Sequence, residues 1–150
     1  MNYRKAKMAD VVAIQSLVNS YAEKGLMLPR SLNALYESLL ELTVAEKAGK
    51  IWGVGGLHIV WENLAEIRAL AVAPEVLRQG VGRKLVEIFL EQAKELGIDR
   101  VFALTYKPEF FQKCGFSVVS KDALPHKVWK ECINCSKFPN CDEVAVSIDL

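Results

Sequence analysis

The stretch from Leu64 to Leu96 constrains the fold more than any other part of this chain. Leu64–Ala73 is an apolar run of strand length that stops at Pro74. After a short loop the spacing changes. Val81, Leu85, Ile88, Phe89, Ala93 and Leu96 now share one side of a helix, with Gly97 placed to cap it. Joining the two is Pro74-Glu75-Val76-Leu77-Arg78-Gln79-Gly80-Val81-Gly82. Glycines just before a helix let the backbone approach a ligand closely, and the free N–H groups and helix dipole there favour an anion. The same two glycines also suit a tight turn with no ligand. A dinucleotide fold would want GxGxxG after an early strand, and a P-loop a GK[ST] ending; neither is present.

The flanking sequence supplies the rest of a sheet. Residues 2–7 read as a first strand. Asp10 can open a helix whose face is Val11, Ile14, Leu17, Val18, Tyr21 and Ala22, closed by Gly25. Ser31 is a natural N-cap for a second helix, with Leu32, Leu35, Tyr36, Leu39 and Leu40 at amphipathic spacing. Thr43–Ala48, a Gly49-Lys50 turn and Ile51–Val60 read as a hairpin, and Arg100–Tyr106 as a buried strand. Glu109–Cys114 is a short helix stopped by Gly115, and Phe116–Ser120 and Val144–Leu150 are closing strands. The order β-α-α-β-β-β-α-β-α-β-β implies an α/β fold with a mixed sheet and helices on both faces.

With 150 residues, half of them apolar (51%) and a quarter charged (25%), the expectation is one globular domain over residues 1–150. There are 19 basic and 18 acidic side chains, so no basic excess points to nucleic acid and any cationic site must be local. No apolar stretch has signal-peptide or membrane-spanning character, which makes the cytoplasm the expected compartment.

Leu70-Ala71-Val72-Ala73-Pro74-Glu75, followed by Arg78-Gln79-Gly80-Val81-Gly82-Arg83, resembles motif A of the GNAT acetyltransferase superfamily. Tyr106-Lys107-Pro108-Glu109-Phe110-Phe111-Gln112-Lys113-Cys114-Gly115-Phe116 resembles that superfamily's P-x-F-Y-x-K-x-G-F segment. The resemblance covers essentially residues 2–150. It implies a splayed sheet and acetyl-CoA as co-substrate. It also implies a cofactor site made of Leu70, Ala71 and Val72, loop residues Arg78, Gln79, Gly80, Val81, Gly82 and Arg83, and Phe110, Phe111 and Lys113 beside the pantetheine arm. Two positions depart from the pattern. Leu77 stands at a usual Gln/Arg position, and Phe111 stands where many members carry a tyrosine that protonates the leaving thiolate. Tyr106 is then the fallback acid.

Direct transfer needs an uncharged amine, so a base must take a proton from the acceptor ammonium. Glu66 matches the strand position of the base in histone-type members of the superfamily. On an extended strand Glu66 and Arg68 share a face, so a structural ion pair between them is the alternative. The resemblance also implies that a backbone N–H near Val72 meets the developing oxyanion.

A narrower resemblance concerns the acceptor. Leu28-Pro29-Arg30-Ser31, Ala65-Glu66-Ile67-Arg68 and Leu124-Pro125-His126-Lys127-Val128-Trp129-Lys130 are similar to segments of the acetyltransferase domain of N-acetylglutamate synthases. That implies L-glutamate as acceptor, a place in arginine biosynthesis, and carboxylate anchors at Arg30 and at Lys127 or Lys130, with Leu28 and Arg68 nearby. Arginine suits a two-pronged carboxylate grip. The alternatives are another amine acceptor or an acyl-CoA-binding sensor without turnover. A homodimer is expected by analogy.

His126, Cys132, Cys135 and Cys141 are spaced H-x5-C-x2-C-x5-C. Reduced thiols, a zinc site and a disulfide with one odd thiol all fit this spacing, and no metal is assigned. Cys114 reads as packing, and His58 as a satisfied core residue.

Overall fold

The computed structural model describes residues 1–124 and 143–150. Among these residues seven strands form one sheet: β1 (Asn2–Lys5), β2 (Leu42–Lys47), β3 (Lys50–Trp61), β4 (Leu64–Val72), β5 (Arg100–Thr105), β6 (Ser117–Val119) and β7 (Val144–Asp149). Their spatial order is β1-β2-β3-β4-β5-β7-β6. β4 and β5 pair parallel, while the other neighbours described pair antiparallel. The α-helices described are α1 (Val11–Ala22), α2 (Leu32–Glu37), α3 (Val81–Glu95) and α4 (Pro108–Lys113). No described helix is long and apolar enough to cross a membrane.

Helices cover both faces, as the element order implied. Leu85, Val86, Phe89 and Ala93 of α3 pack with Phe111 and Phe116 against Leu57, Ala65, Ile67, Val101 and Val146. Val11, Ile14 and Val18 of α1 and Leu35 of α2 pack on Leu42, Val44, Val54, Ala69 and Ala71 on the other face. Glycines in β3 let α3 lie close to the sheet. A Cβ at Gly55 would sit 2.7 Å from Phe89 Cε2, and one at Gly53 would sit 2.9 Å from Val81 Cγ1.

Two irregularities of β4 shape the middle of the sheet. First, β4 and β5 pair only at Leu64–Arg100, Ala65–Val101 and Glu66–Phe102. Beyond Glu66 the strands part, opening the sheet between Ile67–Val72 and Ala103–Thr105. Second, the register against β3 slips: Gly56 opposes Arg68, but Val54 opposes Ala71. Ala69 and Leu70 thus stand opposite the single Gly55, and Ala69 takes φ +54°, a bulge conformation rare for a residue with a Cβ. Ile67 faces α3, as do Leu70 and Val72, while Ala69 and Ala71 face α1. The bulge shifts the alternation by one residue.

Sequence periodicity overshoots in α2. The helix ends at Glu37 and a 3-10 turn, Leu39–Glu41, leads into β2. Ser38 Oγ donates to the Ala34 carbonyl at 2.8 Å, and Leu40 is 91% exposed instead of continuing the apolar face. Leu96, expected in the α3 stripe, is also exposed and serves as the C-cap.

Candidate active site

The parted strands form one wall-to-wall cleft of about 1760 Å³. Glu66–Val72 line one side; Ala103, Leu104, Thr105 and Tyr106 line the other, with Phe110, Phe111, Lys113 and Cys114 beyond them. The start of α3 closes one end, and Tyr21 with the α1–α2 loop closes the opposite face.

Before α3, Arg78 takes φ +68° and Gly80 φ +80°. Left-handed residues in such a loop aim neighbouring N–H groups to one side, the geometry of an anion-binding concavity. Lys84 N–H donates to the Gly80 carbonyl at 3.0 Å. The amides of Val81, Gly82 and Arg83 belong to the first helical turn, where helix geometry provides no partner. Gly82 faces the cleft wall: a Cβ there would stand 3.1 Å from the Phe110 ring and 3.5 Å from Val72. Gln79 departs from the expectation. It does not line the cleft, and its N–H donates back to Val76 at 3.3 Å.

The charge needed for an anionic ligand is local. Among the described residues Arg30, Arg68, Arg78, Arg83, Lys107, Lys113 and Lys121 line the cleft against Glu66, Glu109 and Glu143. In a chain of net charge +1 this is a concentrated cationic field.

Toward the α1 side, Glu66 Oε1 accepts from Arg68 Nε at 2.7 Å, with both side chains largely buried. The shared strand face therefore does produce an ion pair, and it lies inside the cleft. Arg30 is fixed through its backbone: its N–H donates to Asn19 Oδ1 at 3.1 Å, and its carbonyl accepts from Gln15 Nε2 at 3.2 Å. Leu28 lines the cleft in the same loop.

Tyr21 is hidden in the sequence because its position in an apolar helix stripe reads as core. Its hydroxyl donates to the Val72 carbonyl, and burial pushes the phenol above its ordinary range. Phe111 is buried in edge contacts with Phe110 and Phe116 and brings no hydroxyl to the cleft, whereas Tyr106 lines it. Burial likewise raises the Cys114 thiol, consistent with packing. His58 differs from the expected core residue: it is half-buried, with Nδ1 2.8 Å from Glu41 Oε1. Lys127, Lys130, His126, Cys132, Cys135 and Cys141 lie outside the described residues. No group of three or more potential ligands among the described residues is placed to hold a metal.

Comparison with known proteins decides the family. The Acetyltransferase (GNAT) family matches residues 13–116, well over half of the chain. The chain belongs to this family. It is similar to an uncharacterised N-acetyltransferase of Chlorobaculum tepidum, 38% identical over 95% of this chain and 92% of that protein. An amino-acid acetyltransferase of Mycobacterium tuberculosis is 40% identical over 85% of this chain and 75% of that one. Among solved structures, the N-acetylglutamate synthase of Neisseria gonorrhoeae complexed with coenzyme A and N-acetyl-glutamate superposes with a TM-score of 0.90 at 28% identity, over 99% of this chain and 35% of that longer chain.

As a GNAT N-acetyltransferase the chain uses acetyl-CoA, and its residues fit that co-substrate. The α3 amides and neighbouring cations suit a pyrophosphate. Gly82 leaves space that a side chain would fill. The parted strands expose backbone on both sides of a slot.

Proposed function

We propose that the chain transfers acetyl to the α-amine of L-glutamate, the reaction that feeds N-acetylglutamate to arginine biosynthesis. One observation carries the reading: Arg30 and the Glu66–Arg68 pair, distant in sequence, line the same cleft as the α3 amide cradle. The amino-acid acetyltransferase relatives support it.

Bound acetyl-CoA supplies a thioester, an acetyl group activated toward an uncharged amine. Glu66 takes the proton from the acceptor ammonium, and Arg68, 2.7 Å away, orients that carboxylate. Arg30 grips a substrate carboxylate, its loop held by Asn19 and Gln15. Lys127 or Lys130 supplies the second anchor. Backbone N–H groups near Val72 face the acetyl oxygen, and Tyr106 serves as the acid for the departing sulfur. On this reading residues 1–150 form one catalytic domain.

Arg30→Ala tests the acceptor assignment. Each charge-assisted carboxylate contact is worth ~1.5–3 kcal/mol, or roughly 10–150-fold in kcat/KM. The variant should lose that factor for glutamate while its acetyl-CoA affinity stays unchanged. Unaltered glutamate kinetics would remove Arg30, and with it the glutamate reading.

A further inference from the structure

Glu41, His58, Glu66 and Arg68 form a row of ionisable side chains across the α1–α2 face of the sheet. His58 on β3 is the direct cross-strand partner of Glu66 on β4. Opposed residues of an antiparallel pair project to the same face with Cβ atoms about 4.5–5.5 Å apart. Both alternate with residues facing α3: Leu57 beside His58, and Ala65 and Ile67 around Glu66. Behind His58, Glu41 Oε1 lies 2.8 Å from Nδ1. A carboxylate only accepts, so Glu41 selects the tautomer protonated at Nδ1, in which Nε2 is the basic nitrogen. A side cavity of about 280 Å³, lined by His58 and Glu41, joins the main cleft along Arg30, Ala34, Arg68 and Ala69.

We propose that the Glu41–His58 pair is the proton outlet of the acetyltransferase, relaying to solvent the proton that Glu66 removes from the acceptor. The relay rests on Glu66 acting as the base. The ammonium N–H bond breaks and its proton goes to the Glu66 carboxylate, leaving the amine lone pair for attack. Glu66 then passes the proton, through a bridging water, to Nε2 of His58 directly across the strand pair, giving an imidazolium beside the Glu41 carboxylate. Water in the side cavity takes the Nε2 proton, which restores the neutral imidazole protonated at Nδ1; Glu41 holds that Nδ1 proton throughout and stays a carboxylate. No other bond changes in this sequence.

Among the described residues, the charged groups around this route are Glu37 of α2, Glu41 of the 3-10 turn, Glu66 and Arg68 of β4, and Arg30 of the α1–α2 loop. Of these, Glu41 lies directly against the imidazole, at 2.8 Å from Nδ1. His58 acts through Glu66 and is a relay, not a group that touches the acceptor.

The test is the pH dependence of kcat at saturating acetyl-CoA, with whichever amine is turned over fastest, for wild type, His58→Gln, Glu41→Gln and Glu66→Gln. His58→Gln should lose roughly 10–100-fold near neutral pH and recover as pH rises and solvent takes the proton directly. Its KM for acetyl-CoA should not move. Imidazole added to His58→Ala should restore part of the rate. Glu41→Gln should shift the profile in the same sense by a smaller factor, and it reports on the relay even if the alanine variant does not fold. A shifted profile for Glu66→Gln with an unshifted one for His58→Gln overturns the relay and leaves the base intact. Unshifted profiles for both overturn the base and the relay together. Failure of imidazole to rescue a folded His58→Ala also counts against the relay.

Discussion

On its face of the sheet Glu66 bonds to Arg68 two residues along the strand and stands directly across from His58. That Glu66 and Arg68 share a face is legible in any extended segment. The His58 environment is not, because an isolated histidine in an apolar strand does not reveal that a turn 17 residues earlier delivers Glu41 to it. Tyr21 escapes sequence reasoning for a related reason: a tyrosine in a helix stripe looks like core until its hydroxyl is traced to Val72. Glu66→Gln keeps the shape and a hydrogen bond to Arg68 but cannot accept a proton. It should lower kcat ~10²–10⁴-fold at neutral pH, with partial recovery at higher pH where free amine is abundant. Steady-state rates across that range check it; a flat ratio to wild type would return Glu66 to a purely structural ion pair.

At the scale of elements, the strand–loop–helix unit from Leu64 to Glu95 is readable because glycine, proline and a 3.6-residue repeat each leave a mark. The bulge at Ala69 leaves none: alanine carries no signal for positive φ, so the shift of facing between Ile67 and Leu70 appears only in the register. α2 misleads in the opposite direction. Its apolar spacing continues through Leu40, but Ser38 ends the helix and leaves Leu40 in solvent. The start of α3 makes a direct prediction. Arg83 is 64% exposed and pairs with Glu87 only at 3.8 Å, so reversing its charge does not disturb the core. Arg83→Glu should weaken acetyl-CoA binding roughly tenfold, ~1.4 kcal/mol, with the loss shrinking at high salt. Calorimetry at two ionic strengths measures both; unchanged affinity would move the phosphate site away from α3.

Over the whole molecule, the α/β class and helices on both faces follow from element order, but strand order does not. β7 inserts between β5 and β6, a long-range pairing that no local pattern encodes. Far from the cleft, Arg4 ties β1 to β2 and to the turn before α1. It donates to Asp10 at 2.8 and 3.0 Å and to Glu46 at 2.9 Å. These bonds hold the Asp10 and Glu46 carboxyls below their ordinary range. A carboxyl depressed in the folded state contributes stability that is full above its unfolded pKa, near pH 4, and is lost as pH falls through the folded value. Wild type should therefore exceed Arg4→Ala in urea midpoint at pH 7, and the gap should close as pH drops below about 4; a gap independent of pH would contradict the coupling. The central claim, an amino-acid acetyltransferase built on the parted strands, is tested most directly by acetyl transfer from acetyl-CoA to a panel of amines: glutamate, glutamine, other amino acids, polyamines and peptide N-termini. Turnover with glutamate preferred is the expected result, with glutamine poorer by roughly 10–150-fold for its missing charge. Equal rates for glutamine and glutamate, or acetyl-CoA binding without turnover of any amine, would contradict it.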